Sequence, residues 1–158
     1  MLFISDRKNN SFDFLKTIFK DYYNYEINKE DFIYNDYQKP YLKNNKYYFN
    51  ISHTKDKIII CIDNQEVGID IEQLRNYNQG VTKKIFTLAE QEYCRNNDLK
   101  FTEIFIKKES YAKYLGTGLG EYLADINVLN NPLIKIIMYQ DYYIAVTNSN
   151  NLQIIEIK

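Results

Sequence analysis

Apolar residues recur along the chain in two rhythms. Phe12, Leu15, Ile18 and Phe19 follow helical spacing, which predicts an amphipathic helix over residues 11–25. Gln38-Lys39-Pro40 marks a turn, because Pro fixes its own φ and restricts the residue before it. Residues 47–51 and 57–62 read as strands around the polar loop Ser52-His53-Thr54-Lys55-Asp56, and residues 66–71 as a third strand. Thr87 followed by Glu90 three positions on is a capping box and opens a helix. Phe101, Ile104, Phe105, Tyr111, Ala112 and Leu115 carry the clearest helical period, over residues 102–115, and Gly116-Thr117-Gly118 stops it. Residues 134–139 and 142–146 form a hairpin about Gln140-Asp141, and residues 152–157 a last strand. Helices interspersed with antiparallel strands define an α+β class.

One strand raises a chemical question. In Gly68-Ile69-Asp70-Ile71-Glu72 the two isoleucines share one face, and Asp70 and Glu72 share the other. Carboxylates one strand-step apart repel each other, and strands are poor in acids. A solvated strand face accounts for them, and so does a site for a hard cation such as Mg²⁺. Gly68 permits close backbone approach, and the apolar neighbouring strands make this strand central.

Glu109 and Lys113 lie four apart on the predicted helix 102–115, hence on one face, flanked by Phe105 and Ala112. They are either a surface ion pair, worth ~0.5 kcal/mol, or an acid and an amine tuned by apolar neighbours. His53, the one histidine, sits with Ser52, Thr54 and Lys55, a donor set suited to phosphate oxygens as well as to a structural loop. Lys39 at its turn is a solvated lysine or a further phosphate contact.

Composition narrows the classes. Twenty basic residues nearly balance twenty-one acidic ones, and the lysines are scattered, so no nucleic-acid partner is expected. A 45% hydrophobic fraction argues against disorder. Cys61 and Cys94 show no metal or redox spacing, and Cys61 lies in an apolar run as a buried thiol. No apolar run approaches membrane-spanning length and no signal peptide opens the chain, so a cytoplasmic protein without membrane contact is expected.

Taken in order, Lys39-Pro40, FNISHT (residues 49–54), VGIDIE (67–72), IFTLAE (85–90), KKESYAKYLGTGL (107–119) and the closing hairpin resemble the 4'-phosphopantetheinyl transferases. The likeness is to their larger monomeric type, which activates peptide synthetases, and covers residues 11–158. It implies two similar α+β halves in pseudo-twofold relation, residues 1–65 and 66–158, with coenzyme A between them. It implies an Mg²⁺ site, with Mn²⁺ as an alternative, on Asp70, Glu72 and Glu109. It sets Lys113 near the reacting phosphate, Ser52 and His53 on coenzyme A phosphates, and Lys39-Pro40 beside the adenine. Glu90 matches a recurrent acid. The implied reaction moves phosphopantetheine to a serine of an apo acyl or peptidyl carrier protein, with Glu109 and Lys113 as the catalytic pair.

Carrier proteins are commonly acidic, so Lys83 and Lys84, in the segment of residues 77–85, are candidate partner contacts, though a solvated connecting loop explains them equally. Three departures stand out: 38 residues precede Lys39 where the larger type has several tens more, Phe105 stands where the family has Trp, and Gln38 replaces a Gly. Arg7 and Lys8 are candidates for a replacement phosphate contact. Two other readings compete: a non-catalytic homologue that binds coenzyme A or a carrier protein, and a metal-dependent phosphoesterase acting on nucleotides.

Overall fold

The computed structural model describes residues 1–6, 10–44 and 46–157, so Arg7 and Lys8 lie outside the described residues. Strand β1 (Leu2–Asp6) is followed by helix α1 (Ser11–Tyr23), which starts where the Asn10 side chain accepts the Asp13 N–H at 2.9 Å. It ends where Asn24 turns left-handed at φ 46°. A small ribbon, β2 (Phe32–Tyr34) with β3 (Pro40–Leu42), carries the Lys-Pro turn.

Strands β4 (Tyr48–His53) and β5 (Lys57–Asp63) come next, so Ser52 and His53 belong to a strand and only residues 54–56 form the connecting loop. The four-stranded sheet runs β4-β5-β1-β9, with β9 (Ile154–Glu156) parallel to β1 and the other neighbours antiparallel. The last strand thus joins strands from the first 63 residues rather than the hairpin before it. Ile58, Ile60 and Ile62 of β5 pack against α1, while Ile59 and Cys61 enter a second core cluster. A strand covered on both faces reads as an unbroken apolar run, and Lys57–Asp63 does.

The other sheet runs β6-β8-β7, all antiparallel, from β6 (Gly68–Glu72), β7 (Ile134–Tyr139) and β8 (Tyr142–Thr147). Ile69, Ile71, Ile144 and Val146 share the second cluster with Ile59 and Cys61, so one core joins the two sheets. Helix α4 (Asp98–Leu115) covers the opposite face, through a third cluster that includes Ile104, Ala112, Ile134 and Ala145. It starts earlier than its apolar period indicates, because the Asn97 side chain caps it by accepting the Lys100 N–H. Helix α3 (Leu88–Cys94) opens on the expected Thr87–Glu90 capping box. The segment of residues 77–85 is no open loop: Asn78 caps helix α2 (Gln79–Ile85).

Two contacts fix the parts that matter below. Gly68 lies directly against α4: a Cβ there would come within 2.0 Å of the Ser110 carbonyl oxygen and 2.6 Å of the Tyr114 nitrogen. At the seam between the sheets, the Asn50 side chain of β4 accepts the Ile69 N–H of β6 at 3.0 Å. Strand β6 is therefore pinned between a helix and a neighbouring strand, with its acidic face turned toward both.

Candidate active site

Asp70 reaches the seam beside Ser52. The Ser52 hydroxyl donates to Asp70 Oδ1 at 2.8 Å, and Lys113, in the last turn of α4, donates to the same oxygen at 2.7 Å and to Ser52 Oγ at 2.9 Å. Three elements thus meet in a triangle of serine, aspartate and lysine. Lys113 pairs with Asp70 rather than with Glu109, so the helical spacing put the two catalytic candidates on one face without predicting the partner.

The other Asp70 oxygen, Oδ2, is buried and has no hydrogen-bond partner. A buried carboxylate oxygen left without a donor costs free energy on the order of 1–3 kcal/mol, and Oδ2 is the site oxygen with its lone pairs uncommitted to the protein. Glu72, on the same strand face, is half-buried and holds Arg75 at 2.6 Å. Glu109 approaches from α4. Burial raises its carboxyl to about 7, and Asp70 and Glu72 add to the shift by repulsion while Lys113 and Arg75 oppose it. Burial likewise raises Glu72, with Arg75 opposing and Asp70 reinforcing.

Three hard oxygen donors that repel one another around an unpartnered buried oxygen fit a divalent cation. Asp70, Glu72 and Glu109 are the residues that would hold it. Among the described residues, however, no three His, Cys, Asp or Glu side chains converge into a ready-made cage. Asp70 and Glu72 each face a cationic side chain instead.

The phosphate-binding candidates divide. Ser52 is in the site. His53, the next residue of β4, is exposed at the strand end. Lys39 is 7% exposed, and its amine pairs with Glu66 and donates to the carbonyls of Lys113 at 2.6 Å and Tyr114 at 3.2 Å. Burial lowers its pKa, with Glu66 opposing the shift. Its charge closes the carbonyl end of α4, a favourable place for a cation. Lys39 and Pro40 nonetheless form one wall of a cavity of about 160 Å³, whose other wall is Lys113 and Gly116. Gly116, left-handed at φ 71°, ends the helix there. The Lys-Pro turn therefore shapes the space next to Lys113, while its amine holds the helix.

Glu90 is wholly buried away from this triangle and pairs with Lys108 at 2.7 Å. Asn50, Glu66 and Arg75 were not singled out in the sequence. Asn50 lies inside the FNISHT stretch, but the pairings of Glu66 and Arg75 depend on elements distant in the chain or on a bend after a strand, which periodicity does not encode.

Strands β4 and β6 and helix α4 thus bring a carboxylate–lysine cluster to the seam between the two sheets. A model of the 4'-phosphopantetheinyl transferase superfamily matches residues 66–152, more than half of the chain, and the protein belongs to that family. Its relatives include the 4'-phosphopantetheinyl transferase gsp of Aneurinibacillus migulanus, 33% identical over 90 residues, which cover 54% of this chain and 38% of that protein. The holo-acyl-carrier-protein synthase of Chlamydia felis is 41% identical over 78 residues, covering 42% of this chain and 64% of that protein. The 4'-phosphopantetheinyl transferase Sfp of Bacillus subtilis (strain 168) is 30% identical over 112 residues, covering 66% and 50%. The chain thus spans about half the length of the curated relatives it matches.

Proposed function

We propose that the protein transfers the 4'-phosphopantetheine group of coenzyme A to a serine of an apo acyl or peptidyl carrier protein, releasing 3',5'-ADP. The observation that carries this reading is the unpartnered Asp70 Oδ2, buried beside Lys113 and Ser52 in a chain of this family. The carrier serine oxygen forms a bond to the β-phosphorus of coenzyme A as the bond from that phosphorus to the 3',5'-ADP oxygen breaks. Glu109, whose carboxyl burial raises to about 7, is the carboxylate we assign to accept the serine proton. Lys113 reaches the same place from α4 and stabilises the charge on the departing 3',5'-ADP. Mg²⁺ or Mn²⁺ held by Asp70, Glu72 and Glu109 would neutralise pyrophosphate charge during bond breaking.

The cavity between the Lys-Pro turn and Lys113 is the place we assign to part of coenzyme A. We assign the carrier to the exposed side of α2, where Lys83 and Lys84 project into solvent. We further place the reaction in the cytoplasm, where both free, buried thiols stay reduced, and expect a monomer. Among the described residues no helix is long and apolar enough to cross a membrane.

Incubation with coenzyme A, Mg²⁺ and apo carrier proteins from fatty-acid, polyketide and peptide assembly lines, followed by weighing the carriers, tests the proposal. A gain of one phosphopantetheine group on any carrier supports it, and no gain across the panel rejects it. Binding of coenzyme A without mass gain would identify a non-catalytic homologue. The engaged Lys39 amine is the observation that favours that second reading.

A further inference from the structure

Arg75 belongs to none of the roles above, yet its surroundings are built around it. Its N–H donates to the fully buried Thr102 Oγ1 at 2.9 Å, and that hydroxyl spends its own proton on the Asp98 carbonyl at 2.8 Å. The backbone is therefore tied to α4, and only the side chain is free to move. Its guanidinium lies 4.3 Å from the centroid of the Phe105 ring, a residue 7% exposed. It also grips Glu72 at 2.6 Å. A planar cation is thus stacked on an aromatic ring at the edge of the carboxylate cluster, with a second cation, Lys113, on Asp70.

We propose that Arg75 is a latch on the metal site: it holds Glu72 in the metal-free protein, and a divalent cation must displace it to gain that carboxylate. This rests on the metal reading under the proposed function. It explains why three mutually repulsive carboxylates fit a cation chemically but do not converge on one point: one ligand is held by the protein's own charge. Phe105 is the seat of the latch. Because the ring holds the guanidinium independently of Glu72, release of the carboxylate leaves Arg75 beside the filled site, its donors turned toward whatever anion enters. Arg75 is accordingly a positioning residue, and its geometry couples filling of the metal site to exposure of an anion-binding group.

Only the half-exposed Arg75–Glu72 ion pair is given up when the metal binds, so the latch opposes the metal by up to about fivefold in affinity. The test is calorimetric titration of Mg²⁺ into the protein without coenzyme A, comparing native protein, Arg75→Met, Arg75→Lys and Lys84→Met. Methionine keeps apolar packing on Phe105. Lys84 borders the same apolar cavity as Phe105, so its removal controls for loss of one nearby positive charge.

The latch predicts Mg²⁺ binding up to about fivefold tighter in Arg75→Met, intermediate in Arg75→Lys, and nearly unchanged in Lys84→Met. A merely structural role for Arg75 would not tighten binding. Equal or weaker binding by Arg75→Met, or equal tightening by Lys84→Met, overturns the latch and leaves the metal site standing. No Mg²⁺ or Mn²⁺ binding by native protein or Arg75→Met overturns the metal site and the latch together.

Discussion

Helix α4 sends two lysines to two carboxylates, and the pairs end very differently. Lys108 and Glu90 are both wholly buried. The Lys108 amine donates to Glu90, to the Leu123 carbonyl at 2.7 Å and to the Ile126 carbonyl, so all three protons are used. Glu90 accepts from the Thr87 N–H at 2.7 Å and the Val128 N–H at 2.6 Å besides. The Lys113–Asp70 pair, five residues on, shares its contacts with Ser52 and leaves Asp70 Oδ2 without a partner. A saturated buried pair ties elements together: here α3, α4 and the segment of residues 123–128 are joined through two side chains. An unsaturated one keeps chemical capacity in reserve at a cost in stability. Glu90, recurrent acid or not, belongs to the first kind.

Breaking the saturated pair should have the largest effect. Lys108→Met strands the Glu90 charge in the core and should lower unfolding free energy by about 3–5 kcal/mol in urea titrations, with the double variant Lys108→Met/Glu90→Leu recovering much of the loss. A loss under 1 kcal/mol would contradict the reading of that pair as the structural one. In the other pair the balance reverses. Asp70→Asn should reduce carrier modification by at least about a hundredfold while costing only about 1 kcal/mol of stability, since Lys113 keeps access to water.

Glu109 sharpens the contrast through its pH dependence. Its folded carboxyl, at about 7, lies above the ordinary 4.5, so the native state binds the proton more tightly than the unfolded chain. Its contribution to stability is therefore complete below pH 4.5 and is lost as pH rises toward 7. Glu109→Gln should abolish that decline and gain on the order of 2 kcal/mol at pH 8, with no gain at pH 4, in thermal or urea unfolding. The same variant should lose transfer activity, the usual trade between stability and an active site. The smallest effect is expected at Ser52→Ala, which removes one hydrogen bond to Asp70 and should cost about 1 kcal/mol.

Much of this was legible in the sequence, for identifiable reasons. Gly68 and the Ile69/Ile71 alternation fixed which face of β6 carries Asp70 and Glu72, because strand geometry is a local property. The Thr87–Glu90 box was legible as a cap, since capping spans three residues. What stayed hidden is what three-dimensional proximity decides. Nothing in the 107–119 stretch says that Lys113 chooses Asp70 over its helical neighbour Glu109. Lys39 reads as a solvated or ligand-facing amine until Glu66 and the end of α4 surround it. Short elements were missed for another reason: α2, with seven residues, and the β2–β3 ribbon, with three-residue strands, are too brief for a periodic signal.

The Lys39 cap has a consequence for motion. Its amine ties the Lys-Pro turn to the carbonyls of Lys113 and Tyr114, so one wall of the cavity and the helix end carrying the opposite wall move as a single body. Widening that cavity then requires uncapping the last turn of α4. Amide hydrogen exchange in that turn becomes a gauge of how often the cavity opens, and of how firmly a guest holds it shut.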